Sequence, residues 1–262
     1  MMTAYDAPTA ELLEEQGVDI LLVGDSVGMV LLGYDSTAPV TMDEMLHHAK
    51  AVRRGAKKST VIGDLPLKGV QKGPKQALAS ARRFIREAGC QAVKLEWGPH
   101  AVESTRLMVK KGILVMGHVG LTPQRAAKEG GYKVRGQQAE NALEILRHAL
   151  AFEKAGAFAV LLECVPAPVA KVITKTLKVP TVGIGAGPDC DGQVLVFQDV
   201  TGSFHKFRPR FAQRYGQVYE SSQKAVGRFL KDVRQKKYPQ KKHTFGMKSD
   251  ERQRFESLAK GL

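Results

Sequence analysis

Short apolar, β-branched runs recur along the chain at 2–5, 20–24, 60–64, 92–96, 114–118, 159–163, 181–185 and 193–197. The stretches between most of them carry apolar residues at helical spacing, at 9–15, 42–54, 74–88, 101–110, 138–155 and 169–177. Strand-sized runs alternating with helix-sized ones predict βα units and a parallel sheet. Thr41 ahead of Asp43 and Glu44 reads as a helix N-cap with acidic first-turn residues. Gly17, Gly55, Gly89, Gly112 and Gly156 stand where helices should stop. Eight such strands predict an α/β fold of the (β/α)8 TIM-barrel class. No long helix is expected between the seventh and eighth strands.

A length of 262 residues suits one such barrel, and 43% hydrophobic with 25% charged residues is ordinary globular usage. No apolar run approaches the roughly 18 residues that span a bilayer, and the start lacks a basic segment followed by an apolar one, so a cytoplasmic protein is expected. Cys90, Cys164 and Cys190 are too widely and unequally spaced for a disulfide framework or a zinc knuckle, and read as reduced thiols in or near the barrel. Charge changes the picture once it is located. Residues 206–262 hold 16 Lys and Arg against 5 Asp and Glu, which is +11 of the +14 total. The expected organisation is therefore a catalytic barrel over residues 1–205 and a basic, helical extension over 206–262. A run of basic residues such as 231–237 could meet phosphates, but it carries no nucleic-acid motif, and a solvated helix is the reading preferred here.

Polar residues at the ends of the strands carry the chemistry. A parallel strand buried on both faces should be apolar throughout. Here the second run ends in Asp25 and Ser26, the third in Asp64, the fourth in Lys94 and Glu96, the fifth in His118 and the sixth in Glu163. In a barrel these ends converge on one face, where active sites are built. Asp25, Asp64 and Glu96 in one pocket would repel one another unless a proton or a cation intervenes. Oxygen-only ligands favour Mg2+. Such an ion would chelate a 2-oxo acid and stabilise its enolate. Lys94, kept charged by acidic neighbours, would clamp the substrate carboxylate or enolate. Glu163, at the end of an apolar run, would act as general base, and His118 would orient a hydroxyl or shuttle a proton. Structural alternatives stand beside each reading: an N-cap for Asp25, an ion pair with Glu96 for Lys94, a buried structural acid for Glu163 and a satisfied core histidine for His118. The glycine-rich run 183–187 lacks the spacing and the following helix of a dinucleotide site, and reads as a close backbone approach beside loop 189–192. The run 130–136 reads as a loop able to cover the mouth, or as an ordinary surface loop.

These residues also carry a resemblance. Thr3-Ala-Tyr-Asp6, Val23-Gly-Asp-Ser-Val-Gly28, Asp64-Leu-Pro66, Val93-Lys-Leu-Glu96, the run 117–124, the run 130–136, Leu162-Glu-Cys-Val-Pro166 and the run 183–196 resemble, in order and spacing, the ketopantoate hydroxymethyltransferase family. The match runs from Thr3 to about Asp199. The resemblance implies a phosphoenolpyruvate/pyruvate-type barrel that uses 5,10-methylenetetrahydrofolate and 3-methyl-2-oxobutanoate to make 2-dehydropantoate, for pantothenate and coenzyme A. It implies Asp25, Asp64 and Glu96 as Mg2+ ligands and Asp25, Ser26, Asp64 and Lys94 as the oxo-acid site. It further implies Glu163 as proton acceptor, His118 near the product hydroxyl and folate, and a cytosolic homo-oligomer, often a decamer. Against the family pattern, a segment ahead of the first strand is missing, which leaves two expectations, an open barrel floor or an incomplete gene sequence. The stretch after Gly202 is shorter and the end beyond Gln240 more basic, which implies altered final-helix and oligomer contacts. Two rival functions remain: another Mg2+-dependent 2-oxo acid lyase or mutase of the same superfamily, and an idle barrel whose basic tail binds nucleic acid or an acidic partner.

Overall fold

The computed structural model describes residues 1–126 and 130–262. Eight strands follow one another in sequence order in a single parallel sheet. They are β1 (Met2–Thr3), β2 (Ile20–Val23), β3 (Thr60–Asp64), β4 (Ala92–Glu96), β5 (Leu114–Gly120), β6 (Ala159–Glu163), β7 (Thr181–Ile184) and β8 (Gly192–Gln193). The sheet curls until its edges meet. Met2 bridges Leu195 in parallel, and the Thr3 N–H donates to the Leu195 carbonyl at 3.2 Å. The result is a TIM-like barrel. The eighth strand is shorter than its apolar run suggests, because Leu195 contributes only an isolated bridge.

Between the strands lie α1 (Ala7–Glu15), α2 (Val27–Val30), α3 (Met42–Gly55), α4 (Leu67–Val70), α5 (Pro74–Ala88), α6 (Ala101–Lys110), α7 (Ala139–Ala155) and α8 (Ala167–Thr176), with α9 (Phe197–Thr201) after β8. Local chemistry sets their ends. Asp6 caps α1, accepting from the Thr9 N–H at 2.8 Å, so this helix starts two residues earlier than its apolar spacing indicates. Thr41 and Glu44 cap α3 reciprocally. Left-handed Gly89 and Gly156 end α5 and α7. No helix separates β7 from β8 among the described residues.

Alternation along each strand sorts side chains into two cores. Leu22, Ile62, Ala92, Met116, Ala159, Leu161, Val182 and Val194 fill the inside of the barrel. Leu21, Val23, Val61, Val93, Leu95, Val115, Val119, Val160 and Leu162 pack outward against the helices. Gly117 stands on that outer face of β5, where an added Cβ would lie 2.4 Å from Cγ of Phe152. The missing side chain is what lets α7 bring its aromatic ring down onto the sheet.

The chain divides into two units, Met1–Gly216 and Gln217–Leu262. Residues 206–216 fall in the first, where Ala212 is buried and the Tyr215 N–H donates to Val200. The second contains α10 (Val218–Arg234) and α11 (Ser249–Ala259), neither of which buries a residue. Among the described residues no helix is long and apolar enough to cross a membrane.

Candidate active site

Parity along the strands gathers the chemistry. Asp64 lies two residues beyond Ile62, Lys94 and Glu96 two and four beyond Ala92, His118 two beyond Met116, and Glu163 two beyond Leu161. Each therefore shares the inner face with an interior core residue, one layer (for Glu96, two layers) further toward the C-terminal rim. Register aligns them across strands: Asp64 pairs with Lys94, Glu96 with His118, and Gly120 with Glu163. Asp25 and Ser26 follow β2 after the single residue Gly24 and lead into α2, with Ser26 at its N-cap.

These groups form one connected network. Lys94 Nζ lies 2.9 Å from Asp64 Oδ1 and donates to His118 Nδ1 at 3.2 Å. The other Asp64 oxygen accepts the Asp25 N–H at 3.1 Å. His118 Nε2 faces Glu163 Oε2 at 3.2 Å. Ser26 Oγ is held by the Tyr5 hydroxyl at 2.7 Å. Asp25 does not act as a helix cap. Its carboxylate takes a 2.8 Å hydrogen bond from the Gln124 amide, which also donates to the Leu65 carbonyl at 2.9 Å. The direct ion-pair partner of Lys94 is Asp64 rather than Glu96.

Burial and like charge govern the electrostatics. Asp25, Asp64, Lys94, Glu96 and His118 are all buried. Desolvation, followed by the neighbouring Asp64 charge, pushes the Asp25 carboxyl well above the usual range. Desolvation also raises Glu96, against the pull of Lys94 and with the push of Asp25 and Asp64. Burial opposes charging Lys94, yet Asp64, Glu96 and Asp25 outweigh it and hold the ammonium firmly protonated. Desolvation and the Lys94 charge lower His118, which is neutral at physiological pH. Among the described residues the Lys94 ammonium thus answers three carboxyl groups, Asp64, Glu96 and Asp25, with Glu163 beyond it on the far side of His118.

That excess of acid is the feature a divalent cation would relieve. Glu96 Oε1 is buried with no hydrogen-bond partner, and the His118 Nδ1 that already accepts from Lys94 lies 3.6 Å away. The donors are all carboxylate oxygens, the type a hard cation selects. Among the described residues, however, no three His, Cys, Asp or Glu side chains stand grouped closely enough to form a ready cage. The Gln124 amide and the Lys94 ammonium occupy carboxylate oxygens that a cage would need. The residues fit an ion held by part of this set, with remaining positions left to water or substrate.

Gln124 and Tyr5 are the members of this network that residue chemistry did not single out. A glutamine in a loop after a strand carries no chemical signature until its two acceptors are known. The glycine-rich run 183–187 is a close packing point: an added Cβ on Gly185 would lie 2.8 Å from Phe211. In the loop 130–136, the Tyr132 hydroxyl donates to Met29 Sδ at 3.6 Å, which ties this loop to α2, the helix that follows Asp25 and Ser26.

Comparison with known proteins gives this geometry a family. The profile of ketopantoate hydroxymethyltransferase matches residues 1–241. The chain belongs to that family. It is 50% identical over 261 residues to the 3-methyl-2-oxobutanoate hydroxymethyltransferase of Oleidesulfovibrio alaskensis, covering all of this chain and 90% of that protein. It is also 50% identical over 247 residues to the enzyme of the same name from Carboxydothermus hydrogenoformans, covering 94% of this chain and 90% of that one. Among solved structures, a phosphonopyruvate hydrolase complexed with oxalate and Mg++ superposes with a TM-score of 0.58 at 14% identity, over 99% of this chain and 91% of that one. At that identity the likeness is one of fold.

Proposed function

We propose that this family member, whose relatives are named for hydroxymethyl transfer to 3-methyl-2-oxobutanoate, takes that group from 5,10-methylenetetrahydrofolate and gives 2-dehydropantoate in the cytoplasm. The observation that carries the site assignment is the buried inner-face network in which Lys94 and neutral His118 stand between acids from four strand ends. Asp25, Ser26, Asp64 and Lys94 hold the oxo acid, with the ammonium against its carboxylate and developing enolate oxygen. Glu163, at the less buried edge of the network, removes the C3 proton. Water adds to the folate-borne methylene as its two C–N bonds break, leaving tetrahydrofolate and formaldehyde in the site; the enolate carbon then forms the new C–C bond to that formaldehyde, whose oxygen takes up the proton and becomes the product hydroxyl. Oxo acid, methylenetetrahydrofolate and water thereby give 2-dehydropantoate and tetrahydrofolate. His118 Nε2, facing Glu163, steers the proton and the product hydroxyl.

Asp25, Asp64 and Glu96 are the residues that would hold Mg2+. Bound there, it supplies charge neutralisation and Lewis-acid polarisation of the keto group. A self-associated enzyme is part of the same reading.

The test is exchange of the C3 proton of 3-methyl-2-oxobutanoate with D2O, followed by NMR in the presence of Mg2+. Wild type should exchange without folate, and E163Q should not. Retained exchange in E163Q would move the base elsewhere, and turnover without methylenetetrahydrofolate would point to a lyase.

A further inference from the structure

A cavity of about 590 Å3 opens beside the acid network, between Trp97, the loop after β5 and the first turns of α7. Its volume lies within the roughly 300–1,000 Å3 of small-molecule sites and far exceeds what a branched five-carbon acid fills. Its inner wall is continuous with the chemistry. Trp97 follows Glu96 directly, and its backbone N–H donates to the His118 carbonyl at 2.8 Å. Gly120, another wall residue, is the register partner of Glu163. A long molecule seated here therefore presents one part to the proton-transfer pair while the rest remains outside the network.

The lining has two chemistries. Trp97 stacks on His148 with ring centroids 3.8 Å apart at 18°, and meets the edge of Phe152 at 5.5 Å. Burial lowers the His148 pKa, so this is a neutral aromatic wall. From α7, Asn141 and Glu144 bring an amide and a carboxylate to the same space. A flat heteroaromatic ring matches the wall, and an edge with adjacent N–H donors matches the carboxylate and amide. A pterin has both features; the oxo acid has neither.

Resting on the reading above, we propose that this cavity receives the pterin and aminobenzoyl rings of the reduced folate, with Trp97 and His148 as the aromatic wall and Asn141 and Glu144 as the polar recognition groups.

Trp97 is the single tryptophan of the chain, so its emission reports on this cavity alone. Titration with tetrahydrofolate, corrected against free tryptophan for absorbance, should quench that emission saturably. N141A and E144A, with circular dichroism verifying their fold, should each raise KM for methylenetetrahydrofolate at least about ten-fold while KM for the oxo acid stays within about two-fold. Quenching does not require turnover, so it separates this inference from the functional reading, which stands or falls on C3 exchange in wild type. Unquenched Trp97 in an enzyme that turns over would overturn the proposal. Wild-type folate KM in both folded variants would also overturn it.

Discussion

The Lys94 ammonium donates to Nδ1 of His118 across 3.2 Å. An ammonium has no lone pair to offer, so Nδ1 must be the unprotonated nitrogen and Nε2 must carry the ring proton. That proton faces Glu163 Oε2 at 3.2 Å. A lysine on β4 therefore sets which face of a histidine on β5 is a donor, and so how the acid on β6 is presented.

Replacing His118 by Asn removes that orientation and leaves Glu163 without its partner. C3 proton exchange in H118N should fall about 100-fold, the scale of a positioned proton-transfer group. NMR exchange rates decide it. An unchanged rate would return His118 to the role of a core residue.

Lys94→Met leaves Asp25, Asp64 and Glu96 buried without their ammonium. Removing one partner of a buried ion pair costs about 3–5 kcal/mol, and urea unfolding should show a loss of that order. Pairing it with Asp64→Asn should recover part of the loss, since the two charges are coupled. Additive losses would mean that the contact contributes little.

Much of this was legible beforehand for a physical reason. Strand ends in a barrel are forced onto one rim, so acids closing the apolar runs at Asp64, Glu96 and Glu163 had to converge, and a two-residue period assigns them to the inner face. The partners were not legible. Whether Lys94 pairs with Asp64 or Glu96 depends on register between strands, and Gln124 reaches Asp25 from a loop whose path no local pattern specifies. The eighth strand is shorter than its run at 193–197 because a continuous apolar run says that a segment is buried, not that its backbone forms a ladder.

Glu14 offers a pH test remote from the site. Its carboxylate accepts the backbone N–H groups of Ser59, Lys57 and Lys58, which hold its pKa down at about 2. A folded pKa below the unfolded one contributes stability that is present above pH about 4.5 and is lost as pH falls toward 2. E14Q should unfold at lower temperature at pH 7 and show a flatter decline between pH 4.5 and 2. Identical acid limbs for the two proteins would contradict this.

Gly120 has φ +94°, and a Cβ there would lie 2.3 Å from the Glu163 carbonyl oxygen. G120A combines backbone strain with a collision against the strand that carries the base. Exchange activity should drop at least about ten-fold, with a destabilisation of roughly 1–3 kcal/mol. Wild-type exchange and melting temperature would show that the strand yields freely.

The cylinder is sealed by its two shortest strands, where Met2 meets Leu195 and Thr3 accepts from the Phe197 N–H at 3.0 Å. Those partners lie almost two hundred residues apart on the chain. During synthesis the early βα units can stack as an open fan, but the ring cannot shut until the ribosome has released the segment around Leu195. Until then the first strand has one edge bare, and a newborn chain is at its most vulnerable to pairing with a neighbour on the same polysome.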